Sequence, residues 1–360
     1  MLAATQVREN ARRDLIRLSH HDLDVPDYVR AATRILKRAV PCEGTCMLTI
    51  DPATLLPTGE IAEQGLPLAV RDRLTEIELR EPDLDTFASP APDSRHATGR
   101  GRWRRKSRRP SGFADELRAA LPGTIGTWGA LTLLRERGRP RFSPAEIRFV
   151  TGTAADLGEG LRRAMLLHGD SPGEDAGHSP GAGLVVLTAD DRVETADEAG
   201  GRWLDDLATP DLPSARLPVA VRAVAGRTRV IAGGDAGVGP AEARVRARSG
   251  RWAVVRGSTL GDGPEARVAV LIEAAGPAAM APLIADAYGL TDRERRVTEL
   301  VARGFSTNEI AGRLHLSPYT VQDHLKSIFT KSGTASRGDL VARLFFDHCR
   351  PRLATSRSSG

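Results

Sequence analysis

Aromatic residues make up only 4% of this chain and cysteines number three. No run of about 18 apolar residues occurs in it, which argues against a membrane-spanning helix. The N-terminus lacks the basic-then-apolar pattern of a secretory leader. Three cysteines, an odd number, do not make a disulfide framework, so a reduced, cytoplasmic interior is expected. Cys42 and Cys46 stand in C-x-x-x-C spacing, yet no second Cys/His pair completes a site, and no metal is expected. Catalytic signatures are missing too. There is no His-Glu-x-x-His helix, no nucleophile elbow and no kinase catalytic loop. The glycine-rich stretch Gly233–Pro240 lacks the Gly-Lys-Ser/Thr ending of a phosphate loop and reads as a loop between strands. His20-His21-Asp22 reads as a polar helix terminus. No enzyme activity and no cofactor are therefore expected.

What is present points elsewhere. A length of 360 residues predicts roughly two to three domains, and 41% hydrophobic residues can build a core in each. The net charge of +5, with a pI near 9.5, suits a nucleic-acid partner without requiring one. The abundance of Ala, Gly and Arg looks like a GC-rich bacterial coding bias and carries no functional information.

The stretch Leu290–Lys331 is the most legible. Thr291 followed by Glu294 is a capping box that opens a helix carrying Val297, Leu300 and Val301, with Gly304 as its stop. Ser306 and Glu309 form a second capping box, followed by Ile310, Ala311 and Leu314. Ser317-Pro318 is a third start, an N-cap residue with proline at the first helical position. Val321, Leu325 and Ile328 then face inward at i, i+4, i+7. Tyr319, Gln322, Asp323 and Lys326 form an outward polar stripe, flanked by Thr320 and Ser327. Three short helices with two tight turns predict a helix-turn-helix unit. A polar stripe can be a solvated face or a surface that reads base edges in the major groove.

The run LTDRERRVTELVARGFSTNEIAGRLHLSPYTVQDHLKSIFTKSG, residues 290–333, resembles the LuxR-type DNA-binding domain. Leu290, Thr291, Glu294, Gly304, Ile310, Ala311, Thr320, Val321, His324, Leu325, Lys331 and Gly333 are among the residues that match its pattern. The resemblance implies an all-α four-helix domain over 289–350, with duplex DNA and RNA polymerase as partners. It implies that Gln322, Asp323 and Lys326 face bases, and that Thr320, Ser327 and Lys331 lie nearer the phosphates. The helix starts capped by Ser306 and Ser317 would take phosphates on their amides. Gln can bond adenine bidentately, Lys can donate to guanine and Asp can accept from cytosine. Asp323 departs in charge from many relatives and could instead repel wrong sequences. Relatives use a fourth helix for dimerisation, which here would place Leu340, Val341, Leu344 and Phe345 at a homodimer contact. The same stripe could equally cover the three-helix core.

Upstream, residues 1–40 read as helical, with Val29, Ala32, Ile35, Leu36 and Val40 on one face and Pro41 as the stop. Cys46–Ile50 reads as a strand, 67–80 as a helix, and the arginine-rich Phe87–Gly112 segment around Trp103 as an exposed loop or as a basic run that follows nucleic-acid phosphates. Ile125–Leu134 is a strand in which Gly129 permits close backbone approach. Ser143 to Glu146 caps a helix running to about Leu167. This order is similar to a GAF domain over 20–167, an α+β fold. After a linker at 168–182, strands are expected at Leu184–Leu187, Leu217–Val224, Arg229–Ile231, Ala243–Arg248, Trp252–Arg256 and Arg267–Ile272. Ser249-Gly250 would be a hairpin turn. The region 183–275 resembles an α+β PAS-type module, and 276–288 is a second linker.

A multidomain transcription regulator is therefore expected, whose N-terminal modules sense a small molecule or protein partner and control a C-terminal helix-turn-helix. Two rivals belong to other classes. One is a sigma-factor-like RNA polymerase subunit, against which stands the absence of a recognisable promoter-melting region. The other is a GAF/PAS signalling enzyme with a DNA-binding appendage.

Overall fold

A computed structural model of the chain describes residues 2–62, 66–72, 113–123, 126–166, 180–209, 216–234, 237–263, 265–276, 278–281, 283 and 288–346, with side chains from 4 to 342. The chain is multidomain, a sheet-containing region followed by a helical C-terminal one. Helix α1 (Leu2–Leu18) precedes α2 (Val25–Ala39), whose start is fixed by Asp24 accepting from the Asp27 amide, with proline in the first turn. His20 and His21 fall in the turn that ends α1. Strands β1 (Gly44–Ile50), β2 (Pro57–Ala62), β3 (Phe113–Pro122) and β4 (Thr127–Glu136) pair antiparallel in the order β2-β1-β4-β3.

Strand alternation gives that sheet two different faces. Met47, Leu131, Leu133, Leu117, Ala119 and Leu121 share one face with α2 and α3 (Pro144–Leu166). Cys46, Leu48, Ala130 and Leu134 lie on the other, beside Glu60, Glu116 and Arg118. Cys42 and Cys46 therefore pack into different clusters, and neither is disulfide-bonded. Helix α3 lies very close to the sheet. A Cβ on Gly158 would stand 2.1 Å from the Pro122 carbonyl oxygen, and one on Gly129 would stand 2.3 Å from Leu161. The capping box at Ser143 is present: its amide donates to Glu146 at 2.7 Å and its hydroxyl accepts from the Glu146 amide. Arg135 binds the same carboxylate at 2.7 Å and stacks over Phe142.

The second sheet contains β5 (Gly183–Leu187), β6 (Val193–Ala196), β7 (Glu242–Arg246), β8 (Trp252–Leu260) and β9 (Arg267–Ala274). All neighbours are antiparallel, in the order β6-β5-β9-β8-β7. Between β6 and β7 lie α4 (Glu198–Leu207), capped by Asp197, and α5 (Val219–Ala232). Helix α5 corrects two expected strands, Leu217–Val224 and Arg229–Ile231. The run V-A-V-R-A-V-A-G alternates as a strand would, yet Val221, Val224, Ala225 and Thr228 also recur at i, i+3, i+4, i+7, and all four are buried. Fourteen residues exceed the usual strand, and Pro218 and Gly233 bound them as helix ends. Strands β2 and β3 and helix α4 were not anticipated. Ser249-Gly250 does make the expected turn, with Gly250 at φ 78° and its amide bonded to Ala247 O.

The two sheets touch. Leu56 packs into the second apolar core, and Asp51 Oδ2 accepts from the Arg244 amide at 2.8 Å and from its Nη1 at 3.0 Å. The expected 276–288 connector contains a helical turn at 278–281, with Met280 and Leu283 buried. Of the expected 67–80 helix, 68–72 are helical. The remainder, the arginine-rich 87–112 segment and most of the 168–182 linker lie outside the described residues.

Replacing Gly158 by Ala forces a side chain into a carbonyl with nowhere to move. Urea denaturation should show a stability loss of about 1–3 kcal/mol or more, whereas Gly152→Ala on the same helix, with open space around it, should be neutral or stabilising.

Candidate nucleic-acid interface

Four helices make the C-terminal unit: α6 (Asp292–Ala302), α7 (Thr307–Leu314), α8 (Pro318–Ser332) and α9 (Arg337–Phe346). Each predicted start signal is in place. Thr291–Glu294 and Ser306–Glu309 are complete capping boxes, and Ser317 accepts from the Thr320 amide at 3.0 Å. Gly304 (φ 86°) follows α6 and Gly333 (φ 65°) caps α8 in the left-handed region. The turn between α7 and α8 depends on His315, left-handed at φ 52°, an uncommon position for a residue with a Cβ. Val297, Val301, Ile310, Ala311, Val321, Leu325, Ile328 and Leu340 close the core.

Glu294 joins the first and third helices. Its carboxylate accepts from the Thr291 amide at 2.7 Å, from Ser327 Oγ at 2.6 Å and from Lys331 Nζ at 2.7 Å. Burial alone would raise its pKa. The bonds from Lys331, Ser327 and Thr291 outweigh that and hold the carboxyl at about 2. Arg293 adds a bond to Leu314 O at 3.2 Å, Arg337 donates to Phe305 O, and Arg313 lies 4.0 Å over the Phe305 ring.

With that frame fixed, α8 presents Gln322, Asp323 and Lys326 exposed on one stripe. Tyr319, which periodicity placed at the head of the same stripe, is 71% exposed, although it was not counted among the expected DNA contacts. Lys326 Nζ lies 3.9 Å from Asp323 Oδ1, a loose pair between exposed groups. No acidic residue occupies the first turn of α8, so its amino end is open to an anion. The first turn of α7 differs, since Glu309 already accepts from the Ser306 amide and hydroxyl, both at 2.7 Å. Thr320 is half-buried and bonded to Ser317 Oγ at 2.9 Å. Ser327 and Lys331 turn toward Glu294 instead of standing free. Leu340 is 1% exposed and belongs to the domain core, and Val341 is half-buried. The side chains of Leu344 and Phe345 lie outside the described residues.

The family model described as bacterial regulatory proteins, luxR family, matches residues 289–344. These residues form a LuxR-type helix-turn-helix domain. Its relatives are transcriptional regulators. An HTH-type transcriptional regulator of Mycobacterium bovis is 52% identical over 52 residues, 14% of this chain and 6% of that protein. UhpA of Escherichia coli, a transcriptional regulatory protein, is 43% identical over 56 residues, 16% of this chain and 29% of that protein. DesR of Bacillus subtilis is 39% identical over 67 residues, 19% of this chain and 34% of that protein. The chain thus spans well under half the length of these relatives. A solved complex of phage VqmA with DPO aligns at 18% identity over 50% of this chain and 89% of that one. Its TM-score of 0.22 carries no argument. Among the described residues, no three His, Cys, Asp or Glu side chains gather as a metal site would, and no helix is long and apolar enough to cross a membrane.

A carboxyl held at about 2 when folded and near 4.3 when unfolded contributes stability above its unfolded pKa, and loses it as pH falls toward 2. The difference corresponds to about 3 kcal/mol. In urea denaturation of a fragment carrying residues 280–360, Glu294→Gln should cost about 2–3 kcal/mol at pH 7. The gap to wild type should narrow steadily below pH 4.

Proposed function

We propose that this chain is a sequence-specific, DNA-binding transcriptional regulator, cytoplasmic, in which a GAF-like module at 20–167 and a PAS-like module at 183–275 sense a small molecule or protein partner. The observation that carries the reading is the exposed stripe of Gln322, Asp323 and Lys326 on a helix whose amino end is open and whose back is locked to α6. Duplex DNA fits this surface. Lys326 donates to guanine, Gln322 pairs with adenine, and Asp323 accepts from cytosine or repels a wrong base. Ser317, Thr320 and the first amides of α8 meet a phosphate, with Ser306, Ser327 and Lys331 as further backbone contacts. The two antiparallel sheets with helices packed on them support the GAF-like and PAS-like readings, the second through its order of second, first, fifth, fourth and third strand of the module. RNA polymerase is the second macromolecular partner. A homodimer on DNA would use Val341, Leu344 and Phe345 of α9, since Leu340 is committed to the core.

Binding of a fragment carrying residues 280–360 to duplex DNA should weaken steeply with salt, log K falling by about 0.9 per phosphate contacted per decade of salt. Gln322→Ala and Lys326→Ala should each cost about 1–3 kcal/mol on the preferred site and relax choice at one or two base pairs. Equal losses on preferred and random duplexes, read by fluorescence anisotropy, would remove both residues from the base-reading set.

A palindromic duplex should bind more tightly than a single half-site. Leu344→Lys with Phe345→Lys should abolish that preference while leaving half-site binding and helical content near wild type. A folded double mutant that kept the preference would rule out the α9 dimer.

A further inference from the structure

Where the two sheets meet, the described side chains place three arginines against two carboxylates. Arg71 Nε donates to Glu60 Oε1 at 2.6 Å. Arg216 Nη2 lies 2.8 Å from Asp72 Oδ1 and 3.3 Å from Glu60 Oε2, and Arg222 Nη1 is 3.6 Å from the same Asp72 oxygen. Arg118 pairs with Glu116 and Arg229 with Asp191 nearby. Water hardly reaches this place, the Arg216 side chain being 9% exposed and that of Glu60 0%.

Proximity has not produced bonding. None of the three side-chain nitrogens of Arg216 makes a hydrogen bond of normal geometry, and neither Glu60 Oε2 nor Arg222 Nη1 has a hydrogen-bond partner. A guanidinium offers five donors in a rigid fork suited to carboxylate and phosphate oxygens, so leaving it unused when buried is costly. Burial, and then the charge of Arg216, hold Arg222 below the usual arginine range.

Helix α5 begins at the same point. Arg216 stands two residues before its N-cap, Pro218, and Arg222 lies in its first turn. No side chain caps the helix and no acidic residue occupies that turn. Its first amides have no intrahelical acceptor and carry the positive end of the helix dipole. Two guanidinium groups thus keep unmade hydrogen bonds beside a helix start that no side chain caps.

We propose that this junction binds a small oxyanion-bearing molecule, a carboxylate or a phosphate, held by Arg216, Arg222 and the amino end of α5. The inference rests on the reading of the N-terminal modules as sensors and gives their ligand a chemistry. Glu60, Arg71 and Asp72 come from the first module, Arg216 and Arg222 from the second. A bound anion bridges them and favours the arrangement in which they are docked.

The test is thermal unfolding of the full chain at constant ionic strength, titrated with inorganic phosphate or succinate against matched chloride. The expected result is a saturable rise in Tm with at least one probe, and which probe acts separates phosphate from carboxylate recognition. General salt stabilisation climbs without saturating. Arg216→Met should reduce the anion affinity at least tenfold. Without anion it should unfold no earlier than wild type, because Arg71 and Arg222 remain beside Glu60 and Asp72 and an apolar side chain replaces a buried guanidinium with unmade hydrogen bonds. Arg222→Gln, read the same way, serves if Arg216→Met does not fold. No saturable rise with either probe, or an undiminished rise in the folded variant, would overturn the proposal. Neither readout involves DNA, so a chain that passes the duplex tests without an anion response loses this inference alone.

Discussion

The carboxylate of Glu294 sets the geometry on which the C-terminal domain depends. It closes the capping box of α6 and, with its remaining lone pairs, holds Ser327 and Lys331 on α8. A helix presenting side chains to a groove must keep a fixed rotation about its own axis, because each residue turns the exposed face by about 100°. The apolar contacts of Val321, Leu325 and Ile328 set that rotation roughly. The charge-assisted bonds from two successive turns to one buried carboxylate fix it more closely. Lys331 thereby gains a structural role whatever else it touches.

Buried charge is handled differently in the two halves of the chain. In the helical domain the carboxylate has donors on every side, and its low pKa reflects that satisfaction. At the junction of the sheets Arg71 bonds Glu60, while the nitrogens of Arg216 and one of Arg222 stand near carboxylates without hydrogen bonds of normal geometry. The contrast is informative because native proteins leave few buried polar atoms unpaired. A fully bonded cluster is a fastening, whereas an incomplete one is the basis of the anion site proposed above.

The comparisons and the geometry bear on different parts of the molecule. The family match covers residues 289–344 and coincides with the four helices whose caps and core are described above. The sheet-containing region has no counterpart in that match, so its role rests on its own architecture and on the chemistry of its buried faces.

The sequence by itself determined the C-terminal domain. Capping boxes, proline starts and glycine stops act within three or four residues, so Thr291, Ser306 and Ser317 announced their helices without any fold being known. The apolar stripes along them likewise identified which faces turn inward. Tertiary structure alone decided the rest. Helix α5 carries both a period of two and a period near four, and only its burial against the second sheet selects helix. Strands β2 and β3 were unrecognised because Glu60, Glu116 and Arg118 occupy buried positions that alternation reads as solvent-facing. Glu116 and Arg118 are tolerated there by pairing with each other, and Glu60 by Arg71 and Arg216. The same reason hid the role of Ser327 and Lys331, which lie 33 and 37 residues from Glu294. A polar side chain shows in the sequence that it will need a partner, and only the fold decides which partner it receives.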